Sequence, residues 1–375
     1  MKRSERRFYF VVGFVILILA CSGIFASHEV FRLTENKGLA GIWWGFCFIF
    51  QMPLLLIPLD KGRTIGFIGR VLPQAVSLCL VAWNLIQIFS LLLAPILIFI
   101  PATPDSVYGI LIFVFIFFSI VFRSTHRVVK REISLKLGSL PSHWEPLTIL
   151  HISDIHSGPF MRFSQLEKIV GRFNKEKFDL CVVTGDVVNH SAQDLGWTLD
   201  LLEKINSRLG TYAIMGNHEY IDNEKEIIKR YRSSKLELLL GSSKIIMNKL
   251  SQIRLIGVDY PFEDEMTSKL EIEKALLSSG EGLTSKTEEF RILLSHHPNG
   301  FISARELGVP LTLSGHTHGG QIKFGRLGVA RLLYEFAMGL YEHQGSYLFV
   351  NAGLGNWLPF RINVPCEYAL ITVER

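Results

Sequence analysis

Carboxylate, imidazole and amide side chains recur in five short groups within the second half of the chain. The groups are Asp154 with His156, Asp186 with Asn189, Asn217 with His218 and Glu219, His296 with His297, and His316 with His318. Hard carboxylate oxygens mixed with borderline imidazole nitrogens suit Mn, Fe or Zn better than the all-oxygen shells of Ca or Mg. A carboxylate can bridge two such ions, and a pair about 3.5–4 Å apart can stabilise both the attacking and the leaving oxygen of a displacement. The residue types therefore predict a transition-metal centre.

Each group follows a short apolar run, which indicates how the groups are brought together. Runs of four to seven residues rich in Ile, Val and Leu predict buried strands at 148–153, 180–184, 212–215, 253–258, 292–295, 311–314, 347–350 and 368–373. Amphipathic segments at 164–176 and 223–235 predict helices between them. Strand and helix alternation predicts an α/β fold, in which ligands bind beyond the carboxyl ends of strands. The five groups are therefore expected to converge on one sheet edge.

Taken in order, the groups match the patterns D-x-H, G-D-x-x-N, G-N-H-E, H and G-H-x-H. This series resembles the calcineurin-like metallophosphoesterase superfamily over residues 147–320. The later motifs Gly339-Leu340-Tyr341, Gly353-Leu354-Gly355 and Pro359-Phe360-Arg361 resemble its bacterial UDP-2,3-diacylglucosamine pyrophosphatase-like branch. The resemblance implies an α/β fold with a metallophosphoesterase-type β-sandwich flanked by helices.

The resemblance also implies a role for each residue of the site. Two divalent metal ions are implied, with Mn preferred over Fe or Zn, and their ligands would be Asp154, His156, Asp186, Asn217, His296, His316 and His318. Asp186 would bridge the two ions. His218 and Glu219 would be the catalytic residues. His218 would protonate the leaving group, and Glu219 would orient His218. The implied reaction is attack of a metal-bridging hydroxide on phosphorus, in a phosphate-containing small molecule or lipid.

Several neighbouring residues keep alternative interpretations at this point. His297 competes with His296 for the ligand position, and His296 is favoured because it comes first after the strand. His151 precedes the site and is interpreted as a hydrogen-bonded core residue. His190 is interpreted as a surface residue or a substrate contact. Arg361 is either a contact for an anionic substrate or part of a structural salt bridge.

The first third of the chain predicts a membrane domain. Apolar stretches at 8–27, 39–59, 71–100 and 107–122 reach or approach the roughly 20 residues that a spanning helix needs. We therefore predict an all-α transmembrane bundle of about four helices in residues 1–126, followed by a catalytic domain in residues 127–375. Eleven Lys and Arg residues fall on one side of these stretches and two on the other, so a multi-pass protein of the cell membrane with a cytoplasmic catalytic domain is expected. The lipid bilayer is then a partner.

The charge distribution excludes one class of partner. Residues 1–146 hold 14 Lys and Arg against 7 Asp and Glu, whereas residues 147–375 hold 25 against 27. The region with the candidate site has no excess of Lys and Arg over Asp and Glu, so no nucleic-acid partner is predicted.

The predicted activity is metal-dependent hydrolysis of a phosphate ester or pyrophosphate, with lipid-linked substrates included. The alternative is a non-catalytic membrane scaffold or sensor that uses the same fold. A gated transporter is disfavoured, because no Asp, Glu, Lys or Arg lies in mid-span. The sequence leaves the oligomeric state open.

Overall fold

The computed structural model describes residues 127–375 with short gaps, and four single residues before them. The positions described are Gly38, Ile116, Ser119, Thr125 and 127–375 except 159, 190, 222, 249–250, 261–268, 279–287, 325–326, 329 and 358–360. The chain divides into two compact units, Met1–Ser124 and Thr125–Arg375. Among the positions described, no helix is long and apolar enough to cross a bilayer. The four predicted spans lie almost wholly outside those positions, so they and the predicted domain bounds stay predictions.

Strands and helices alternate along the second unit. Its strands are β1 (Val128–Lys136), β2 (Leu147–Ile152), β3 (Leu180–Thr184), β4 (Thr211–Ile214), β5 (Glu237–Leu238), β6 (Ser242–Asn248), β7 (Ser251–Gly257), β8 (Glu288–Leu294), β9 (Leu311–Ser314), β10 (Lys323–Phe324), β11 (Leu327–Gly328), β12 (Gly339–His343), β13 (Ser346–Val350) and β14 (Cys366–Glu374). Its α-helices are α1 (Phe163–Phe173), α2 (Leu195–Leu202), α3 (Glu224–Ser233), α4 (Lys269–Leu277), α5 (Gly300–Glu306) and α6 (Ala330–Leu333). Short 3-10 helices span Ser142–Trp144, Ala192–Asp194, His218–Tyr220 and His318–Gly320.

The strands form two six-stranded sheets and a small hairpin. The first sheet has the order β1-β14-β2-β3-β4-β5, the second has the order β12-β13-β9-β8-β7-β6, and β10 pairs with β11. In the first sheet β2, β3 and β4 are parallel, and β14 is antiparallel to β2. In the second sheet β7, β8, β9 and β13 are parallel. This mixed α/β architecture with two sheets confirms the predicted fold class for the second unit.

The two sheets pack face to face over an apolar layer. Ile149 and Val182 of the first sheet share this layer with Leu255, Ile292 and Leu313 of the second. Their neighbours in sequence point to the opposite faces, because successive side chains alternate along a strand. Burial on both faces explains why these strands read as continuous apolar runs.

Helices cover the outer face of each sheet. In α1 the buried residues Leu166, Ile169, Val170 and Phe173 recur at the three- and four-residue spacing of one helical face. They share a core with β2 and β3 and with Tyr231 of α3. Smaller apolar contacts from α4 and α5 cover the second sheet.

The carboxyl ends of β2, β3 and β4 meet those of β8 and β9 at one edge of the sandwich. Hydrogen bonds join the loops that follow these strands. Asp154 N donates to Gly185 O at 3.0 Å, and Gly315 N donates to His296 O at 3.1 Å. The chain also enters the second unit at this edge, because β1 is parallel to β14, with Val128 opposite Cys366.

Candidate metal centre

The structure brings all seven predicted metal ligands to this edge. Asp154 and His156 follow β2, Asp186 follows β3, Asn217 follows β4, His296 follows β8, and His316 and His318 follow β9. Five of them are buried, and Asn217 and His316 are half-buried. Their convergence had been expected from the strand ends alone.

One group of donor atoms comes from the loops after β2 and β9. His318 Nε2 lies 2.9 Å from His156 Nε2 and 3.4 Å from Asp154 Oδ1. His156 Nε2 and Asp154 Oδ1 are 4.0 Å apart. The carboxylate and the two imidazoles therefore face one another closely enough to hold one cation.

A second group comes from the loops after β3, β4, β8 and β9. His296 Nε2 lies 3.2 Å from Asp186 Oδ2 and 3.3 Å from His316 Nδ1. Asn217 Oδ1 is 3.0 Å from the same His316 nitrogen. Asp186, His296 and His316 offer ligand atoms within 4.8 Å of one another, and Asn217 lies beside them.

Asp186 belongs to both groups. Its Oδ2 atom is 3.2 Å from His296 Nε2 in the second group and 3.7 Å from His156 Nε2 in the first. Its other oxygen, Oδ1, accepts a hydrogen bond of 2.9 Å from the backbone N–H of His218. The donor set and this shared carboxylate fit a pair of divalent ions.

The backbone at the site adopts a conformation that side chains usually avoid. Asp154, His156, Asp186, His316 and His318 all have positive φ angles, between 48° and 70°. Positive φ is uncommon outside glycine, and such strain concentrates at functional sites. Five of the seven predicted ligands share it.

Two glycines allow the ligand loops to approach each other. A β-carbon at Gly185 would lie 2.7 Å from His296 Nδ1, and one at Gly216 would lie 2.7 Å from the backbone N of Asp186. These distances are shorter than real β-carbon contacts. Any larger residue would therefore push the loops after β3, β4 and β8 apart.

Burial and mutual charge set the protonation of the acidic and imidazole groups. Burial raises the pKa of Asp154 to about 7, and Asp186 nearby adds to this effect. Burial alone would also raise the pKa of Asp186, but the charges of His296 and His218 hold it well below its ordinary value. Burial alone would lower the pKa of His296, yet the Asp186 carboxylate raises it to about 10. Two buried carboxylates so close together are stabilised by bound cations.

The predicted catalytic residue His218 lies beside the first donor group. The ring of His218 is 4.5 Å from that of His156, and its Nδ1 contacts the carbonyl oxygen of Asn189. One nitrogen of His218 also comes close enough to Asp186 and His156 to join a metal cluster. The assignment of His218 to acid–base chemistry rather than metal binding stays a prediction.

The Glu219 carboxylate joins ligand loops. It accepts hydrogen bonds from the backbone N–H groups of Asp186, Val187 and Gly216 at 2.6–2.9 Å, and a longer one from Val188. Its role in orienting His218 stays a prediction. These bonds fix the backbone of Asp186, and nothing in the sequence pattern indicated them.

His297 lies behind the site. Its ring packs 4.8 Å from the ring of His316, and its Nδ1 accepts a hydrogen bond from Asn299 N at 3.3 Å. Burial lowers the pKa of His297 to about 3. His296, by contrast, belongs to the second donor group, as the sequence analysis favoured.

His151 is a buried residue of β2. Its Nε2 is hydrogen-bonded to Thr184 Oγ1 at 2.8 Å, and burial lowers its pKa to about 3. This position agrees with its interpretation as a core residue. His190 is outside the described residues.

Sequence reasoning missed two tyrosines beside the second donor group. Tyr334 Oη is 3.4 Å from His316 Nε2, and the ring of Tyr260 is 5.6 Å from the ring of His316. Both tyrosines are half-buried. Neither belongs to a motif, so only the fold reveals them.

Comparisons with known proteins agree with this geometry. The family model for calcineurin-like phosphoesterases matches residues 147–320. An uncharacterized metallophosphoesterase of Aquifex aeolicus is 31% identical over 248 residues, which cover 64% of this chain and 90% of that protein. An uncharacterized metallophosphoesterase of Helicobacter pylori is 31% identical over 60% of this chain and 59% of its own length. A zebrafish (Danio rerio) protein named "Transmembrane protein with metallophosphoesterase domain" is 30% identical over 65% of this chain and 57% of its own length.

The chain therefore belongs to the calcineurin-like phosphoesterase family. Membership implies divalent metal ions and a metal-dependent phosphoester hydrolase, and the candidate ligand clusters agree with both. The family model matches residues 147–320 of the second unit, and the comparisons leave the specific reaction open.

Proposed function

We propose that this protein is a membrane-anchored hydrolase that uses two divalent metal ions to cleave a phosphate ester or a pyrophosphate. The observation that carries the proposal is the Asp186 carboxylate, whose Oδ2 faces the donor group of His156 on one side and that of His296 on the other. We assign Asp154, His156, Asp186 and His318 to one ion. We assign Asp186, Asn217, His296 and His316 to the other.

When bound, the ions would neutralise the phosphoryl oxygens and lower the pKa of a water molecule from 15.7 to about 7. The protein supplies the fixed geometry. Glu219 holds the backbone of Asp186, and the N–H of His218 orients Asp186 Oδ1. The buried ligands exclude competing water, which strengthens their electrostatic interaction with charge on the phosphate.

His218 is assigned to the leaving group. Its Nδ1 contacts the carbonyl oxygen of Asn189, so Nδ1 carries one proton, and the ring acts as an acid when Nε2 carries a second. Its ring lies beside His156 of the first donor group, and one of its nitrogens lies near the shared carboxylate of Asp186. A histidine in this position can donate a proton to the departing oxygen.

A lipid-linked substrate is the finer part of the proposal. The chain enters the second unit at the metal edge, where Thr125 is hydrogen-bonded to Arg361. The fourth predicted span ends near residue 122, a few residues before the second unit begins. A relative named as a transmembrane protein supports membrane attachment. A protein attached to a membrane would meet the phosphate groups of lipids.

Phosphate release by the purified full-length protein with Mn²⁺ tests this proposal. The panel contains a phosphorylated lipid, a lipid-linked pyrophosphate and their water-soluble head groups. Hydrolysis that is faster on the lipids and lost in both Asp186→Ala and His218→Ala is expected. His343→Ala is the matched control, because His343 is exposed on the edge strand β12.

Each contrary outcome removes a defined part of the proposal. Equal turnover of lipids and soluble head groups would remove the preference for lipids. Activity that survives in both site variants would come from a contaminant, and the non-catalytic scaffold would then replace the enzyme.

A further inference from the structure

The two ring nitrogens of His316 face different partners. Nδ1 lies 3.3 Å from His296 Nε2 and 3.0 Å from Asn217 Oδ1, within the second donor group. Nε2 lies 3.4 Å from Tyr334 Oη. A neutral imidazole carries one proton, so a ring that gives Nδ1 to a cation keeps its proton on Nε2. The oxygen of a tyrosine hydroxyl can accept the hydrogen bond from that N–H.

Tyr334 also packs against two histidine rings. Its ring meets the ring of His316 edge to face, with centroids 5.6 Å apart and an interplanar angle of 83°. The ring of His297 lies 5.8 Å from that of Tyr334 and 4.8 Å from that of His316. His297 is 0% exposed, whereas Tyr334 and His316 are half-buried. Two rings therefore pack against His316, and Tyr334 is the one whose polar atom meets its Nε2.

A close backbone contact places Tyr334 beside the ligand. Tyr334 follows helix α6, and its backbone N–H donates to Ala330 O at 2.8 Å. A β-carbon at Gly320, in the loop after β9, would lie 2.4 Å from Ala330 N. Gly320 has a φ angle of 72°, which side chains rarely adopt. The loop that carries His316 is thus the loop against which α6 packs.

We propose that Tyr334 is a positioning residue for the metal ligand His316. The inference rests on the proposed metal centre. The hydroxyl oxygen of Tyr334 accepts the hydrogen bond from Nε2–H, which fixes the tautomer of His316 that presents an unprotonated Nδ1 to the cation. Groups bonded in this way behind a metal-binding histidine typically change metal affinity about 10–100-fold when they are replaced. Because His316 belongs to the second donor group, the effect should fall on the ion of that group.

A conservative substitution separates the hydroxyl from the ring. Tyr334→Phe removes the acceptor oxygen and keeps the ring that packs against His316 and His297. Tyr212→Phe is the matched control, because the hydroxyl of Tyr212 is also hydrogen-bonded, to Leu209 O at 3.1 Å. Tyr212 lies at the beginning of β4, away from the carboxyl ends of the strands that carry the ligands.

The experiment is a Mn²⁺ titration of the full-length protein, in which electron paramagnetic resonance distinguishes free, isolated and paired Mn²⁺. The parent and Tyr212→Phe should show a paired spectrum. Tyr334→Phe should bind one of the two ions about 10–100-fold more weakly, keep its affinity for the other and show an isolated-ion spectrum at low Mn²⁺. In crystals of Tyr334→Phe grown at low Mn²⁺, the anomalous peak beside Asp154 should remain and the peak beside His296 should be lost.

The unfolding temperature of the metal-free protein separates positioning from a purely structural role. In Tyr334→Phe it should fall by no more than it does in Tyr212→Phe, since each variant loses one hydroxyl. A larger fall, together with equal weakening of both ions, would make Tyr334 a structural residue and overturn the inference.

The remaining outcomes separate the inference from the function on which it rests. A parent that binds no pair of ions would overturn the proposed function and the inference with it. A parent with a pair, together with unchanged affinities in Tyr334→Phe, would overturn only the positioning role. A lower kcat/KM in a Tyr334→Phe variant with unchanged affinities would mark Tyr334 as a substrate contact instead.

Discussion

At the scale of single residues, the ligands occupy backbone conformations that cost free energy. Asp154, His156 and Asp186 lie at positive φ in the loops after their strands, and each such residue costs roughly 1–3 kcal/mol. The loops are hydrogen-bonded to each other, which holds them there. The residue types and the neighbouring glycines were visible in the sequence. The strain and the role of Glu219 were not, because backbone hydrogen bonds leave no side-chain pattern.

His218 gives the sharpest kinetic prediction. His218→Gln should retain both metal ions while kcat falls by roughly 10²–10⁴, the usual contribution of positioned acid–base catalysis. Metal content and steady-state kinetics of the same preparation are the measurement. Loss of a metal ion in this variant would show that His218 is a ligand, as its place in one donor cluster allows.

His151 makes the stability of the second unit depend on pH. Its pKa of about 3 in the folded protein lies below the ordinary value of 6.5, so the unfolded chain takes up the proton first as the pH falls. The contribution of neutral His151 is fully present above pH 6.5 and is lost progressively between about 6.5 and 3. Between pH 7 and pH 5 the loss is about 2 kcal/mol.

Urea unfolding followed by tryptophan fluorescence at the two pH values measures this effect. In His151→Gln the difference in unfolding free energy between pH 7 and pH 5 should shrink by about 2 kcal/mol. The exposed His343→Gln serves as the control and should leave that difference unchanged. An equal change in unfolding free energy between pH 7 and pH 5 in all three proteins would contradict the role given to His151.

At the scale of elements, the sequence predicted the interior strands and missed the edges. The eight predicted strands correspond to β2, β3, β4, β7, β8, β9, β13 and β14, which are the interior strands of the two sheets. The four edge strands β1, β5, β6 and β12 were not predicted. An edge strand pairs on one side only and carries more exposed polar residues, so its apolar pattern is weak. β1 illustrates this, since Lys130, Arg131 and Glu132 at its centre are exposed.

A pair of glycine substitutions tests how closely the ligand loops pack. Gly216→Ala should lower metal affinity and stability, because its β-carbon would lie within 2.8 Å of both Asp186 N and His296 Cε1. In helix α1, a β-carbon at Gly171 meets nothing within 4 Å. Gly171→Ala should therefore stabilise the unit by about 0.5–1 kcal/mol. The unfolding temperature of each variant, measured with and without Mn²⁺, is compared with that of the parent. Equal shifts in Gly216→Ala and Gly171→Ala would contradict the described packing.

At the scale of the whole molecule, the charge pattern predicts orientation as well as attachment. Both ends of the chain should face the cytoplasm, with residues 28–38 between the first two spans on the outside. Cysteine replacements there should react with an impermeant reagent added to intact cells. Control replacements at 61–70 should react only after lysis. The reverse labelling pattern would overturn the predicted topology.

The long-range convergence of the site could be predicted only in part. The order of the five motifs placed them on one edge, because the carboxyl ends of parallel strands share an edge. Which sheet each strand joins depends on pairing between distant segments of the chain. The closeness of Arg361 to His318 is a contact across 43 positions of sequence. Neither follows from local patterns.

The central claim is that two cations share the Asp186 carboxylate. Crystals of the full-length protein grown with Mn²⁺, measured at the manganese absorption edge, test it directly. The account predicts two anomalous peaks about 3.5–4 Å apart, with Asp186 between them, one beside Asp154 and His318 and the other beside His296 and His316. A single peak, or peaks away from Asp186, would contradict it.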